Sequence, residues 1–217
     1  MTTNSTIYIY INSPGGYVIQ GLKIINGINN LHSHNINVVC VAEYAMSMAF
    51  IILQSCNTRY GLIYSSYMQH QMSINSGKVQ YETLKNLMEY HDAMVDYTDN
   101  LQTTKIGMSI NDFKQKYISD WYLFGPMAKT YNIVDDIVTV QCTNDLANKK
   151  YNIIKNNFFY VANITLSRCP LYDYEKVEYN FHDYLSNYTN TNSENINIYN
   201  IYHIKQENIK HNLHLMS

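Results

Sequence analysis

Apolar residues fall at every second position over residues 6–12, Thr-Ile-Tyr-Ile-Tyr-Ile-Asn. That spacing in a β-branched and aromatic segment predicts a strand. Ser13-Pro14-Gly15-Gly16 ends it, and the period then changes. Over residues 17–32, Val18, Leu22, Ile25 and Ile28 recur at helical spacing, which predicts a helix with one buried face. Residues 36–42 are apolar almost without interruption, as expected of a parallel strand covered on both sides. Residues 47–56 read as a second helix, and residues 59–64 and Met68 as short strands on either side of a turn. Strand, helix, strand, helix at this pace predicts an α/β architecture with right-handed crossovers.

A long helix is expected at about 79–106. Leu84, Leu87/Met88, Met94/Val95 and Leu101 run at three- and four-residue steps, unbroken by Gly or Pro. So long an amphipathic helix is expected to project from the domain and meet a partner. Residues 109–117 read as a short helix with Ser109 as N-cap and Asp112 at its third position. Residues 121–131 read as a turn and helix around Gly125-Pro126, and 133–140 as a closing strand.

After about residue 143 the character of the chain shifts. Residues 151–166 have room for a strand or two. Residues 186–200 are nearly a low-complexity run of Asn, Ser, Thr and Tyr, a composition that buries too little apolar area to offset its ordering entropy and is expected to be disordered. The expected division is therefore residues 1–142 and 143–217.

Charge and composition narrow the functional classes. The formal charge of −2 offers no basic face to nucleic acid and no polybasic segment to an anionic membrane. No apolar run approaches the roughly 18 residues that span a bilayer. Met1-Thr2-Thr3-Asn4-Ser5 lacks the basic start and apolar stretch of a signal peptide. Cys40, Cys56, Cys142 and Cys169 form no metal-spaced pair, and Cys40, inside an apolar strand, reads as a small buried thiol. These features predict a soluble, cytoplasmic protein of a reducing compartment, with no metal or cofactor.

The candidate chemistry begins at Ser47, in Glu43-Tyr44-Ala45-Met46-Ser47-Met48, between two apolar runs. It reads either as the cap of the following helix or as a nucleophile with the Met48 N–H beside it as an oxyanion donor. His70, in Met68-Gln69-His70-Gln71, reads as a structural histidine or a general base. Asp120, in Ser119-Asp120-Trp121, reads as a cap or an orienting carboxylate. Gly15-Gly16 reads as a tight turn, or as backbone that lets a substrate approach. Together the functional readings supply the parts for acyl transfer.

These segments resemble the ClpP family, the proteolytic subunits of the Clp protease. Tyr8-Ile9-Tyr10-Ile11-Asn12-Ser13-Pro14-Gly15-Gly16, followed by Gly21, is similar to the family's glycine-rich turn. Ala45-Met46-Ser47-Met48 resembles its nucleophile motif, and Met68-Gln69-His70-Gln71 its histidine motif. The run from Ser119 to Ala128 resembles the segment with its catalytic aspartate, and Val134-Asp135 the close that follows. The resemblance spans about residues 6–140, with four motifs in the family's order.

The resemblance implies a ClpP/crotonase-like fold of repeated ββα units wound into a superhelix, with the long helix as a projecting handle. It implies a triad of Ser47, His70 and Asp120 and an oxyanion hole from the N–H groups of Gly16 and Met48. It further implies unfolded polypeptide substrates, a homo-oligomer of two stacked heptameric rings, and an AAA+ Clp ATPase as partner. Departures from the family pattern are expected to matter. A helix, a strand and an axial segment that precede the family's first strand have no counterpart here, which bears on coupling to the ATPase. Ala49 and Met72 replace a usual Gly and Pro, and the segment after 142 is unmatched. Besides the serine endopeptidase, a non-catalytic ring subunit and a crotonase-type acyl-CoA enzyme remain as readings.

Overall fold

The computed structural model describes residues 5–156, 160–171 and 174–181. The chain divides into two units, residues 1–139 and 140–217.

The first unit opens with β1 (Thr6–Ser13), α1 (Val18–Ser33) and β2 (Asn37–Met46), then α2 (Met48–Gln54) and β3 (Thr58–Gln69). The strands β1, β2 and β3 pair in parallel, in that order. Residues 38–42 of β2 are all buried, as the apolar run requires of a central parallel strand. Ile28, Phe50, Phe113 and Trp121 share one core with the strand residues Val38, Cys40 and Ala42. Each fully buried Ile, Leu or Phe stabilises the fold by about 1.5–3 kcal/mol.

Where short strands around a turn were expected, β3 is a single strand with an irregularity inside it. Ala42 pairs with Gly61 but Tyr44 with Ser66, so β3 carries extra residues at that point. Ser65 holds the bulge: its hydroxyl donates to Ala42 O at 2.6 Å and accepts from Leu62 N at 2.6 Å.

The long helix is present as α3 (Tyr81–Ile106), ending at Gly107 in the left-handed conformation. Its N-terminal half is largely exposed, with Tyr81, Leu84, Met88 and Tyr90 open to solvent. Its C-terminal half is buried through polar residues, Thr98, Asp99, Gln102 and Thr103. That polar stripe differs from the apolar face read from the sequence, and it persists because each side chain finds a partner. Gln69 Nε2 donates to Gln102 Oε1 at 2.6 Å, Tyr117 OH donates to Asp99 Oδ2 at 2.8 Å, and both threonine hydroxyls donate to carbonyls one turn back. Next comes α4 (Ile110–Tyr117), capped by Ser109, whose hydroxyl accepts from Asp112 N at 3.1 Å.

Residues 121–124, read as part of a turn and helix, form β4 (Trp121–Phe124), antiparallel to β3, and only α5 (Met127–Thr130) is helical. The closing strand shortens to β5 (Asp136–Ile137), parallel to β3. Buried Arg59 anchors it. Its guanidinium reaches Gln54 Oε1 at 2.6 Å, Asn132 O at 2.9 Å and Asp135 Oδ1 at 2.5 Å, while Arg59 N donates to Asp135 Oδ2 at 2.7 Å. Burial pushes the Asp135 carboxyl up, but the hydrogen bonds and charge of Arg59 outweigh it and hold the group below its usual range.

The second unit contains α6 (Asn144–Ala147) and an antiparallel sheet of β6 (Lys150–Asn156), β7 (Tyr160–Ser167) and β8 (Tyr174–Phe181). The first two strands correspond to the strand or two expected at 151–166. Ala162, Ile164 and Leu166 form its small core. Residues 186–200, expected to be disordered, lie outside the described residues.

The reading of Cys40 as a free thiol is corrected. Cys40 pairs with Cys56, and Cys142 with Cys169, leaving no free cysteine among the described residues. The first bridge is possible because α2 folds back along β2, which brings Cys56, two residues past the end of that helix, to Cys40 on the strand. Among the described residues no helix is long and apolar enough to cross a membrane.

Candidate active site

The parallel strands β2 and β3 end side by side, with Met46 opposite Met68. One residue on, Ser47 occupies the turn between β2 and α2, and its N–H donates to Met68 O at 2.7 Å. His70 follows the last residue of β3. Sites at the carboxyl ends of parallel strands are the rule in open α/β sheets, because the loops there converge.

Ser47 has φ 54 and ψ −122, in a region that L-residues seldom occupy. Its side chain makes no capping bond to α2. The hydroxyl instead lies 2.8 Å from His70 Nε2. Of the two readings of Ser47, this geometry disfavours the cap: the backbone is strained, and the side chain points away from the helix it would cap. A sharp strand-to-helix turn that exposes a serine hydroxyl is how several hydrolases present a nucleophile.

The glycines divide their work differently from expectation. A Cβ at Gly15 would lie 2.7 Å from both Met46 O and Ser47 Cβ, and Gly15 has φ 100. Gly15 therefore lets the β1–α1 turn lie against the turn that carries Ser47, and Gly16, which has open space around it, lines the pocket. Gly21 brings α1 against Met48, whose side chain a Cβ there would meet. Met48 is the first residue of α2, so its N–H is one of the donors a helix leaves unpaired at its start. Gly16 and Met48 line the same pocket as Ser47 and His70.

Asp120 is placed differently. It sits in the left-handed region with φ 43, exposed, immediately before β4. Gln69 pairs with Trp121 in the antiparallel ladder, so continuing that register sets Asp120 opposite His70. The segment is tied down by Gln71 Nε2, which donates to Ile118 O at 3.0 Å. No hydrogen bond or ion pair joins Asp120 to His70. The structure thus brings Ser47, His70, Gly16 and Met48 to one pocket, and Asp120 is not among the residues that line it.

Residues that the sequence did not single out complete the pocket: Gln69, Thr98, Asp99 and Tyr117. Burial raises the Asp99 carboxyl above its ordinary range, against the opposing pull of the Tyr117 hydrogen bond and the Lys114 charge. The hydroxyl of Tyr117 is raised too, by burial first and by its bond to Asp99 second. The available signal was an acid on the helix face that also carries Val95 and Gln102, one turn to either side.

This arrangement of hydroxyl, imidazole and helix-start donors over residues 15–70, and Asp120 as well, falls inside a match to the family model described as Clp protease. That match covers residues 1–141, well over half of the chain, and the chain belongs to the Clp protease family of peptidases.

Proposed function

We propose that the chain is a serine endopeptidase that hydrolyses peptide bonds of unfolded polypeptides. The observation that carries this reading is the 2.8 Å contact of His70 Nε2 with Ser47 Oγ, on a turn whose strained backbone frees the serine from capping. In the proposed reaction, His70 Nε2 accepts the Ser47 proton as the hydroxyl oxygen attacks the scissile carbonyl. The Gly16 and Met48 N–H groups hold the resulting oxyanion, and losing one such donor costs roughly 2.7–4 kcal/mol of transition-state stabilisation. His70 then passes its proton to the leaving amine. Water, deprotonated by the same imidazole, releases the acyl group from Ser47. Asp120, opposite His70, orients the imidazole and stabilises its charged form when its carboxylate turns inward.

Assembly belongs to the same proposal. Two stacked heptameric rings would enclose the sites, with the exposed apolar side chains of α3 packed between rings and an AAA+ Clp ATPase supplying unfolded chains. The unengaged Asp120 favours a second reading, a ring subunit of low or no activity. Labelling with a fluorophosphonate separates the two. Modification of Ser47 that is lost in His70→Ala supports the protease, and an assembled chain that takes no label supports the structural subunit.

A further inference from the structure

Gln69, at the end of β3, and Gln102, on α3, meet inside the fold, 4% and 0% exposed. Gln69 lines the same pocket as Ser47 and His70. The two amides form a directed chain. Thr98 O can only accept, so Gln102 turns its Nε2 to that carbonyl, at 3.0 Å. Gln102 Oε1 is left to accept from Gln69 Nε2 at 2.6 Å, and Gln69 Oε1 in turn accepts from the His70 N–H at 3.2 Å. His70 lies one residue past the last pairing of β3 with β4, Gln69 with Trp121, so this bond takes over where the ladder stops.

We propose that Gln69 and Gln102 are positioning residues, which tie the backbone of His70 to α3 and so set the aim of its imidazole at Ser47. This inference rests on Ser47 being the nucleophile and His70 its base. Stability alone does not call for the pair, because apolar side chains of the same shape serve a core as well as two satisfied amides. What the amides add is direction. Apolar side chains slide past one another at little cost, whereas a satisfied hydrogen-bonded pair in a dry interior fixes both distance and angle. Rate is sensitive to that placement: a shift of about 1 Å in a reacting group costs on the order of 100-fold. The pair thus makes the seating of α3 a condition for the 2.8 Å contact between His70 Nε2 and Ser47 Oγ.

The test uses the full, assembled chain and the double variant Gln69→Met/Gln102→Met, which keeps length and volume but removes every amide. Three quantities are read: the melting midpoint, kcat and KM on a peptide aminocoumarin, and the rate at which diethyl pyrocarbonate modifies His70, followed by peptide mapping. The melting midpoint is expected to stay level or rise. The kcat should fall by about 10- to 100-fold with KM within about twofold, and His70 should be modified at least about threefold faster. Gln102→Met alone, which cuts only the tether to α3, carries the same kinetic and modification expectations if the double variant fails to fold. A folded variant with wild-type kcat, or with His70 modified at the wild-type rate, overturns the positioning role and leaves the peptidase standing. A wild-type chain that turns over no peptide overturns the peptidase. The modification rates then decide the pair by themselves, a faster His70 upholding it and an unchanged one overturning it.

Discussion

Ser47 Oγ and His70 Nε2 stand 2.8 Å apart because the strands before them end in register, Met46 beside Met68. The pair is built by the sheet rather than by a flexible loop, and the Ser47 N–H to Met68 O bond locks the two strand ends together. Such support holds the hydroxyl and the imidazole at a fixed distance, the preorganisation that the proposed reaction requires.

The same support makes Gly15 sensitive. A methyl group there would collide with Met46 O and Ser47 Cβ on a backbone at φ 100. Gly15→Ala is expected to destabilise the fold by about 1–3 kcal/mol and to cut peptidase activity by displacing Ser47. Urea unfolding alongside cleavage of a fluorogenic peptide checks both. An active, equally stable variant would contradict the packing described.

Arg59 and Asp135 predict acid sensitivity. Asp135 titrates below its usual range in the fold, so its contribution is complete above the unfolded carboxylate pKa, ~3.9, and is lost as pH falls through the lower folded value. Asp135→Asn should cost about 2 kcal/mol near neutrality, with the gap from wild type narrowing below pH 4. Urea midpoints measured across that range give the comparison directly.

Asp99 predicts the opposite sign. Its carboxyl is raised in the fold, chiefly by burial, so between the unfolded and the raised value the folded state holds more of the proton than the unfolded chain does. Stability therefore falls as pH rises from the unfolded value toward the raised one. Asp99→Asn should flatten that slope and raise the melting temperature at pH 7 by about 2–4 °C, corresponding to roughly 1 kcal/mol. A lowered melting temperature at pH 7 would show that the ionised form earns its place through Lys114.

The exposed half of α3 predicts dependence of assembly on its apolar side chains. Leu84→Asp with Met88→Glu should shift sedimentation toward smaller species while leaving the helix content unchanged, since both positions are solvent-exposed in the single chain. Unaltered sedimentation would remove α3 from the assembly surface.

Periodicity located β1, α1 and α3, and the Ser109–Asp112 capping pair located α4, because each is a local pattern. It misread elements whose form depends on neighbours. The bulge at Ser65 looked like a turn because its stabilising contact is to Ala42, on another strand. Trp121–Phe124 is too short to display alternation, and becomes a strand only through its ladder with β3. The polar buried stripe of α3 was hidden for the same reason: Asp99 and Gln102 are tolerated inside only because Tyr117 and Gln69 reach them. Ser47 was legible as a candidate but ambiguous, since a cap and a nucleophile share one sequence context; its positive φ and its contact with His70 speak against the cap. The disulfides depend on how α2 folds back on β2 and on the second unit's sheet, and spacing carried no trace of either.

The central claim is that Ser47, activated by His70, forms an acyl-enzyme. Intact-mass analysis of the assembled chain after a fluorophosphonate probe, with peptide mapping, tests it most directly. One adduct per chain on Ser47, absent in Ser47→Ala and strongly slowed in His70→Ala, is the result predicted. An unmodified Ser47 in an assembled, folded sample would contradict the claim.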